Sequence, residues 1–352
     1  MTIAEVLSMI HPADEAAKAA AAVHWDNVAH PLHSLGLLED AVVTMAGAQG
    51  TADVSIAKRA VVAMCADNGV VAEGVTQSGQ DVTAVVAENM SRGTSSVCCM
   101  AKTADVRVVP VDIGMATVVS GHNILQKNVR RGTGDLAIEP AMTREECETA
   151  ILHGVDVVRL LHREGYDLIA TGEMGIGNTT TSAALVSVLL GRDPEKVTGR
   201  GAGLSTEGLR RKVDAIRRGI ACNKPDPKDP IDVIAKVGGL DIAGLVGVFL
   251  GGALYHVPIV IDGLISSVAA LSALRLCPDV KGYMLASHAS NEPAGKLVLE
   301  ALGLEAPIHA KMALGEGTGA VALIPLLDMA LSLYHSMCSF EEYQIDAYVP
   351  LS

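Results

Sequence analysis

The chain has 352 residues, 35 of them glycine, and is 49% hydrophobic but only 3% aromatic, with a formal net charge of −13. This length accommodates one large α/β domain with a smaller appendage, and aliphatic residues of this kind suit buried parallel strands. The acidic balance argues against nucleic acid or an anionic membrane surface as a general partner, because such binding needs clustered Lys and Arg.

The first twenty residues predict an amphipathic helix and not a signal peptide, because they lack a basic start and an uninterrupted apolar run. The most apolar stretch, residues 242–255, is shorter than the roughly 20 residues that a membrane span requires, so we expect a buried Gly-rich helix there. Seven cysteines without framework spacing fit a reducing compartment. We therefore expect a cytoplasmic protein with no membrane span and no metal site.

Five apolar, β-branched runs end in Gly, Asp, Asn or Ser, as buried strands do. Segments with helical spacing lie between them, at residues 143–164, 182–190, 207–223 and 265–276. This alternation predicts an α/β fold with a parallel sheet, and ligands of such sheets bind beyond the carboxyl ends of the strands. The predicted strands are residues 60–67, 106–112, 167–171, 257–262 and 283–287.

The two ends of the chain are predicted to differ from its middle. Residues 1–50 are mostly helical and polar in pattern, and the segment that begins at residue 323 is also helical. We expect residues 1–50 and 323–352 to form a smaller helical domain together, with residues 51–322 as the large α/β domain.

A glycine-rich loop with three threonines follows the third predicted strand. It spans residues 172–181, GEMGIGNTTT, and leads into a predicted helix. Backbone N–H groups, the hydroxyls of Thr179 to Thr181 and the positive end of the helix can together bind an anion. A tight turn capped by threonine is the alternative, but three threonines exceed what a cap needs. The loop lacks the third glycine of a dinucleotide fingerprint, and the chain has no P-loop motif.

Positive charge is densest in a helix that follows a second glycine-rich loop. The loop is GRGAGLS, residues 199–205, and five basic residues lie within residues 207–223. Taken alone, these charges are better explained as a solvated face paired with Glu207 and Asp214. The position of the helix after a glycine-rich loop makes Lys212 a candidate for binding a phosphate or a carboxylate.

A single carboxylate, Glu316, lies in a third loop that otherwise contains Gly, Thr and apolar residues, KMALGEGTGA at 311–320. Flanking glycines let such a side chain approach a ligand closely, and an apolar pocket would raise its pKa towards that of a useful general base. An ordinary loop Glu has the same local sequence. The residues alone leave both interpretations open.

Nine co-linear segments, from about residue 30 to about residue 335, resemble the nicotinate-nucleotide–dimethylbenzimidazole phosphoribosyltransferases. Nine segments in one order are far more specific than a lone glycine motif. They are ADNGV (66–70), NMSRGTSSV (89–97), VDIG (111–114), GEMGIGNTTT (172–181), the GAG-to-Lys212 stretch (201–212), KVGGLDIAGLVG (236–247), IDG (261–263), SHAS (287–290) and LGEGTGA (314–320).

The resemblance implies a dimeric enzyme with a Rossmann-like large domain and no metal or cofactor. Its substrates would be nicotinate mononucleotide and the aromatic lower-ligand base of a cobamide, and its products an α-ribotide and nicotinate. Glu316 would take the proton from the base, with Glu173 and Lys212 as further polar groups of the active site. The residues that match the nucleotide and phosphate surroundings are Gly175, Ile176, Gly177, Asn178, Thr179, Gly201, Gly203, Ser290 and Gly317.

Three positions match the pocket for the base: Ser78, Val86 and Leu314. Ser78 keeps the serine of the family, whereas Val86 stands where well-known members carry glutamine. A valine offers neither donor nor acceptor, so the resemblance leaves the base open among benzimidazoles, purines and phenols.

Two alternatives remain beside this interpretation. Another α/β transferase or hydrolase that acts on a nucleotide or sugar phosphate would have similar anion loops. A paralogous subunit that supports an active partner would share the fold without the activity, although Glu316, Glu173 and Lys212 are all present.

Overall fold

The fold is organised around a six-stranded sheet in which every pair of neighbouring strands is parallel. The computed structural model describes residues 1–119 and 123–348. The strands are β1 (Arg59–Ala66), β2 (Arg107–Gly114), β3 (Leu125–Gln126), β4 (Leu168–Met174), β5 (Ile259–Ile261) and β6 (Met284–Ala286). Their order across the sheet is β3-β2-β1-β4-β5-β6.

The order of the strands reverses between β1 and β4, which lie side by side at the centre. From β1 the chain builds outward to β2 and β3, and from β4 it builds to β5 and β6 on the other side. Such a reversal opens a crevice at the carboxyl ends of the two central strands, where ligands of parallel sheets bind. The register pairs Met64 of β1 with Glu173 of β4, so Glu173 lies at this crevice.

Fourteen α-helices accompany the sheet in the described part of the chain. They are α1 (Ile3–Met9), α2 (Glu15–Asn27), α3 (Leu37–Gln49), α4 (Asp81–Arg92), α5 (Ser96–Thr103), α6 (Arg144–Arg163), α7 (Asn178–Leu189), α8 (Pro194–Val197), α9 (Thr206–Asn223), α10 (Pro230–Val237), α11 (Leu240–Leu254), α12 (Leu264–Leu276), α13 (Gly295–Leu302) and α14 (Thr318–Ser336).

The α/β class, the parallel sheet and the flanking helices are as predicted, and the five predicted strands correspond to β1, β2, β4, β5 and β6. The first twenty residues form two helices and not one. Pro12 lacks the N–H that a continuous helix needs, and the Asp14 side chain accepts from Ala16 N and Ala17 N to begin α2. The edge strand β3 has two residues, too few to show a periodic pattern.

The apolar segment at residues 242–255 is the buried Gly-rich helix α11, as predicted. Its glycines allow close contact with α6: a Cβ on Gly154 would lie 2.0 Å from the carbonyl oxygen of Gly244. A side chain at Gly154 would separate the two helices, because an approach that close has no room for a methyl group.

Helices α2, α3 and α14 pack on one face of the sheet in the same apolar cluster as Val61, Ala63 and Cys65 of β1. Contacts of α3 with α2 and with α14 bring the two ends of the chain together. The proposed boundary after residue 322 falls inside α14, which begins at Thr318. The smaller domain of residues 1–50 and 323–352 stays a prediction.

One described helix, α14, is long and apolar enough to cross a bilayer by length and composition alone. In the fold, 56% of its most apolar window is buried, because Leu323, Ile324 and Leu327 pack against the sheet. A core helix meets the same criteria.

Candidate active site

A cavity of about 390 Å³ lies at the carboxyl edge of the sheet, beyond the ends of β4, β5 and β6. All but three of the predicted site residues border it. They are Ser78, Val86, Glu173, Gly175, Ile176, Gly177, Asn178, Thr179, Gly201, Ser290, Leu314 and Glu316. Segments that are far apart in sequence therefore meet at one place, as a functional site requires.

The N-termini of α5, α7, α12 and α14 each lie at or near a residue that borders this cavity. Ser96 is in the first turn of α5, Asn178 begins α7, Leu264 begins α12, and Glu316 lies just before α14. A helix N-terminus has unpaired N–H groups and a partial positive charge, so each can stabilise an anion. At two of these four N-termini, those of α5 and α14, a carboxylate of the protein already accepts hydrogen bonds from backbone N–H groups.

Helix α14 is capped by the buried Asp262. One carboxylate oxygen accepts from Gly317 N (3.1 Å), and the other accepts from Gly319 N (2.7 Å) and Ala320 N (3.0 Å). Burial nevertheless raises the pKa of Asp262. These bonds fix the turn from which Glu316 projects.

Glu316 itself contacts the N-terminus of α5, because its Oε2 accepts a hydrogen bond from Val97 N at 3.1 Å. Glu316 has a φ of 61°, and Gly315 and Gly317 on either side have 90° and 98°. A side-chain-bearing residue in this left-handed region is strained, and such strain is typical of functional sites. Gly172 permits the turn, since a Cβ there would lie 2.4 Å from the carbonyl oxygen of Glu316.

The anion end of the cavity is built on α7, which begins after the left-handed Gly177 without a side-chain cap. The buried ammonium of Lys212, on α9, donates to Thr179 Oγ1 at 2.7 Å and to Gly199 O at 3.2 Å. Burial lowers the pKa of Lys212 to about 8. An anionic group bound near Thr179 would raise the pKa of Lys212 again, and the Lys212 ammonium would in turn stabilise that anion.

Lys212 stands just behind the cavity wall, because its Nζ is 3.6 Å from where a Cβ on Gly201 would lie. Gly201 has a φ of 53°, a conformation that favours glycine. Arg200 borders the cavity from the same loop and adds a second positive charge there.

A second carboxylate, Glu173, is buried at the end of β4 and shares a donor with Asp241. The side-chain amide of Asn178 donates to Glu173 Oε2 and, at 3.0 Å, to Asp241 Oδ2. Burial, with the nearby charge of Asp241, raises the pKa of Glu173 to about 8. Burial likewise raises the pKa of Asp241 to about 6. The pair therefore holds a proton at neutral pH.

The predicted base pocket lies at the open side of the cavity. Val86 projects from α4, partly buried against the apolar cluster of the sheet, while Ser78 and Leu314 are exposed. Leu314 has a relative exposure of 56%, unusual for a large apolar side chain beside a cavity.

The remaining two predicted residues shape the backbone around the cavity without bordering it. Gly203 has a φ of 97°, and its carbonyl accepts from the Gln77 side chain, which does border the cavity. Gly317 packs beneath the site, where a Cβ would lie 2.6 Å from Val61 Cγ2.

The threonines of the α7 loop do not act alike. Thr179 borders the cavity, whereas Thr180 and Thr181 are buried in the helix and Thr181 Oγ1 donates to Asn178 O at 2.9 Å. The expectation that all three hydroxyls face an anion was wrong for this reason. Successive residues of a helix point about 100° apart, so one face holds only one of them.

His288 is a cavity residue that the sequence did not single out. Ser287 Oγ donates to Ile261 O at 2.6 Å and so accepts from His288 Nδ1, 3.2 Å away. Burial lowers the pKa of His288, which leaves a neutral ring with its Nε2 lone pair free. Further polar residues that the sequence did not assign are Ser96, Arg200, Asp262, Ser266 and Glu292.

Within residues 1–119 and 123–348, no group of three or more His, Cys, Asp or Glu side chains is arranged to hold a metal ion. Metal-free chemistry stays a prediction.

Comparisons with known proteins agree over nearly the whole chain. The family model described as phosphoribosyltransferase matches residues 10–345. A nicotinate-nucleotide–dimethylbenzimidazole phosphoribosyltransferase of Acetivibrio thermocellus is 46% identical over 325 residues, 92% of this chain and 93% of that protein. One from Escherichia coli is 42% identical over 96% of this chain and 94% of its own length.

A solved structure gives the same result. The crystal structure of CobT from Thermus thermophilus is similar with a TM-score of 0.89 and 40% identity, covering 95% of this chain and all of that one. The chain belongs to the phosphoribosyltransferase family that includes the nicotinate-nucleotide–dimethylbenzimidazole phosphoribosyltransferases, as its nine co-linear segments predict.

Proposed function

We propose that this chain transfers the 5-phosphoribosyl group of nicotinate mononucleotide to an aromatic base of the dimethylbenzimidazole type, for the lower ligand of a cobamide. One observation carries the proposal: Glu316 faces the same cavity as the anion site of α7 and Lys212. The relatives at 41–46% identity are named for this reaction.

The reaction needs little acid catalysis, since the departing pyridinium is already cationic. A nitrogen of the base forms the new bond to the anomeric carbon, and the old bond breaks with its electron pair going to the nicotinate nitrogen. The other ring nitrogen of a benzimidazole then loses a proton. We assign that proton to Glu316, because its carboxylate borders the cavity and accepts only one N–H bond among the described residues.

Binding and alignment supply the rest of the catalysis. We assign the 5-phosphate to the first turn of α7, Thr179 and the Gly201 loop, with Lys212 and Arg200 as cations. Glu173, protonated through its burial, would act as a neutral donor near the ribose or the leaving group. Its burial beneath Gly315, where a Cβ would lie 2.6 Å from Oε1, places it next to Glu316 in the fold.

We also infer that the base range is broader than in relatives with glutamine at the position of Val86. Val86, Leu314 and Met174 supply an apolar surface, and Ser78 is the polar group beside them. A pocket without buried donors or acceptors discriminates weakly, by about 1–3 kcal/mol per methylene. This supports benzimidazoles, purines or phenols as acceptors.

The test supplies nicotinate mononucleotide with a panel of benzimidazoles, purines and phenols, and measures free nicotinate and the ribotide by mass spectrometry. The proposal requires nicotinate release only when an acceptor is present. Release without acceptor would indicate a hydrolase. No release with any acceptor would favour a paralogous subunit that supports an active partner.

We propose a cytoplasmic dimer, of two copies or with a paralogous subunit. The seven cysteines, all within the described residues, are free, which suits a reducing compartment. Leu314, exposed by 56%, borders the cavity, and Val85, exposed by 55%, lies on α4 next to the cavity residue Val86; both suit coverage by a second subunit. Native mass spectrometry of the purified complex would distinguish the two kinds of dimer.

A further inference from the structure

Asn68 is a fully buried side chain that lies two residues after the end of β1, behind the active-site loop. Its Nδ2 donates to the backbone oxygen of Ile176, a residue that borders the cavity, but the distance of 3.4 Å makes this hydrogen bond weak. Its Oδ1 is buried as well and has no donor among the described residues. A buried polar atom without a partner is costly, so this amide oxygen requires an explanation.

The unpaired oxygen of Asn68 shares a small buried space with a carboxylate. A Cβ on Gly239 would lie 2.5 Å from Asn68 Oδ1 and 2.4 Å from Asp241 Oδ1. Gly239 has a φ of −142° and a ψ of 158°, an extended conformation that any residue adopts, so glycine is required here for space. Two acceptor oxygens in one buried space are unfavourable together unless a donor lies between them.

Turning the Asn68 amide about its last torsion removes this conflict. The turn exchanges Oδ1 and Nδ2, which are nearly equal in size, so the surrounding side chains need not move. The NH₂ group then donates to Asp241 Oδ1, and only the weak bond to Ile176 O is lost. A hydrogen bond to an ionised carboxylate is roughly twice as strong as a neutral one, so the amide prefers Asp241 whenever Asp241 is ionised.

We propose that Asn68 is a positioning residue for the proton that Glu173 and Asp241 share. By donating to Asp241 it stabilises the ionised form of that carboxyl and leaves the proton on Glu173, which borders the cavity. The inference deepens the proposed function and rests on it for its catalytic meaning, since protonated Glu173 is there the neutral donor.

The other donors around the two carboxyls favour the same distribution. Asp241 lies in the first turn of α11, where a helix N-terminus stabilises an anion, and its Oδ1 accepts from Ile242 N at 3.0 Å. The Asn178 amide donates to both carboxyls. Among the described residues, Glu173 has no other side-chain hydrogen bond than this shared one.

The charged and titratable groups near the pair also act in this direction. Asp262 and Glu316 both raise the pKa of Glu173, whereas Asp67 is the further carboxyl that raises the pKa of Asp241. The Cys65 thiol lies near both members of the pair, and burial raises its own pKa so that it stays neutral. A donor on the Asp241 side therefore adds to a preference that the surrounding charges already have.

The test follows both carboxyls by ¹³C NMR across a pH titration, in protein labelled at the carboxyl carbons of Asp and Glu. The two signals are assigned as those that Glu173→Gln and Asp241→Asn remove. Asn68→Leu keeps the approximate volume and removes the donor. It should raise the titration midpoint of Asp241 by roughly one to two pH units, the range for losing a hydrogen bond to a charged group.

Asn128→Leu is the matched control. Asn128 Nδ2 donates to Asp112 Oδ1 at 2.7 Å, so this variant removes an amide donor from a different buried carboxyl at the same edge of the sheet. It should leave the Asp241 midpoint at the wild-type value. Asn68→Ala removes the same donor and replaces Asn68→Leu if the leucine variant folds poorly.

Three titration results would overturn the proposal: an unchanged Asp241 midpoint in both Asn68 variants, an equal rise in Asn128→Leu, or a fall of the midpoint. A fall would mean that Asn68 accepts a hydrogen bond from protonated Asp241. These titrations contain no substrate, so they do not depend on the proposed function. In the ribotide assay at pH 7, Asn68→Leu should lower kcat, and a shifted midpoint with an unchanged kcat would overturn the catalytic role. If wild-type enzyme forms no ribotide, the proposed function fails instead.

Discussion

Replacing Glu173 with Gln tests whether this buried carboxylate is protonated at neutral pH. Burial and Asp241 raise its pKa from the ordinary 4.5 to about 8. Between these values the folded protein holds a proton that the unfolded chain releases. The contribution of Glu173 to the free energy of unfolding therefore falls as pH rises from 4.5, and it stops falling above about pH 8.

The expected size follows from the two pKa values. Each pH unit between them lowers the contribution of Glu173 to the free energy of unfolding by about 1.4 kcal/mol, so the full loss is on the order of 5 kcal/mol. Glutamine has nearly the shape of a protonated glutamate and does not ionise. Glu173→Gln should therefore resemble wild type at pH 5 and be more stable by several kcal/mol at pH 9, measured as the urea midpoint across this range.

Two controls sharpen this measurement. Glu305→Gln changes an exposed loop carboxylate and should leave the pH dependence as in wild type. Asp241→Asn tests the partner: if Asp241 carries the shared proton, this variant and not Glu173→Gln will flatten the pH dependence. A stability difference between wild type and Glu173→Gln that stays constant from pH 5 to 9 would refute the argument.

Three further predictions concern the reaction. Glu316→Gln should fold and bind nucleotide but lower kcat by roughly 10²–10⁴-fold, and near-normal turnover would exclude it as the general base. Lys212→Met should raise KM for nicotinate mononucleotide more than for the base, because its ammonium lies at Thr179; equal changes for both substrates would contradict the phosphate assignment. Val86→Gln should narrow the accepted bases towards benzimidazoles, and an unchanged preference across the acceptor panel would show that this position does not set the choice.

The sequence was sufficient for those parts of the fold that local pattern determines. The β-branched runs predicted all described strands except β3, and helices α6 and α9 begin within a residue of their predicted starts, after the capping residues Thr143 and Ser205. Helix α7 begins at Asn178, four residues before its predicted start. A left-handed Gly177 and not a capping side chain sets that start, so the usual signal was absent.

Contacts between distant segments could not be predicted in the same way. Asn178 joins Glu173 to Asp241 across 63 residues of sequence, and the buried Asp241 gave no motif by itself. Ser266 likewise lies in an apolar helix where a serine is unremarkable until its hydroxyl is found without a partner among the described residues. Whether such residues come to lie in one cavity depends on which strand ends are neighbours, and the order of the strands in the sheet determines this.

The two carboxyl groups of the cavity show how the fold gives similar side chains different surroundings. Glu316 borders the cavity and accepts an N–H bond from Val97 at the N-terminus of α5. Glu173 is buried beside Asp241, where a second negative charge is disfavoured and a proton is retained. Carboxyl groups whose surroundings differ in this way can take different parts in acid–base chemistry. Removing the Asn178 amide would take a hydrogen bond away from the ionised form of Glu173 and so raise the pKa of Glu173 further, which would strengthen its hold on the proton.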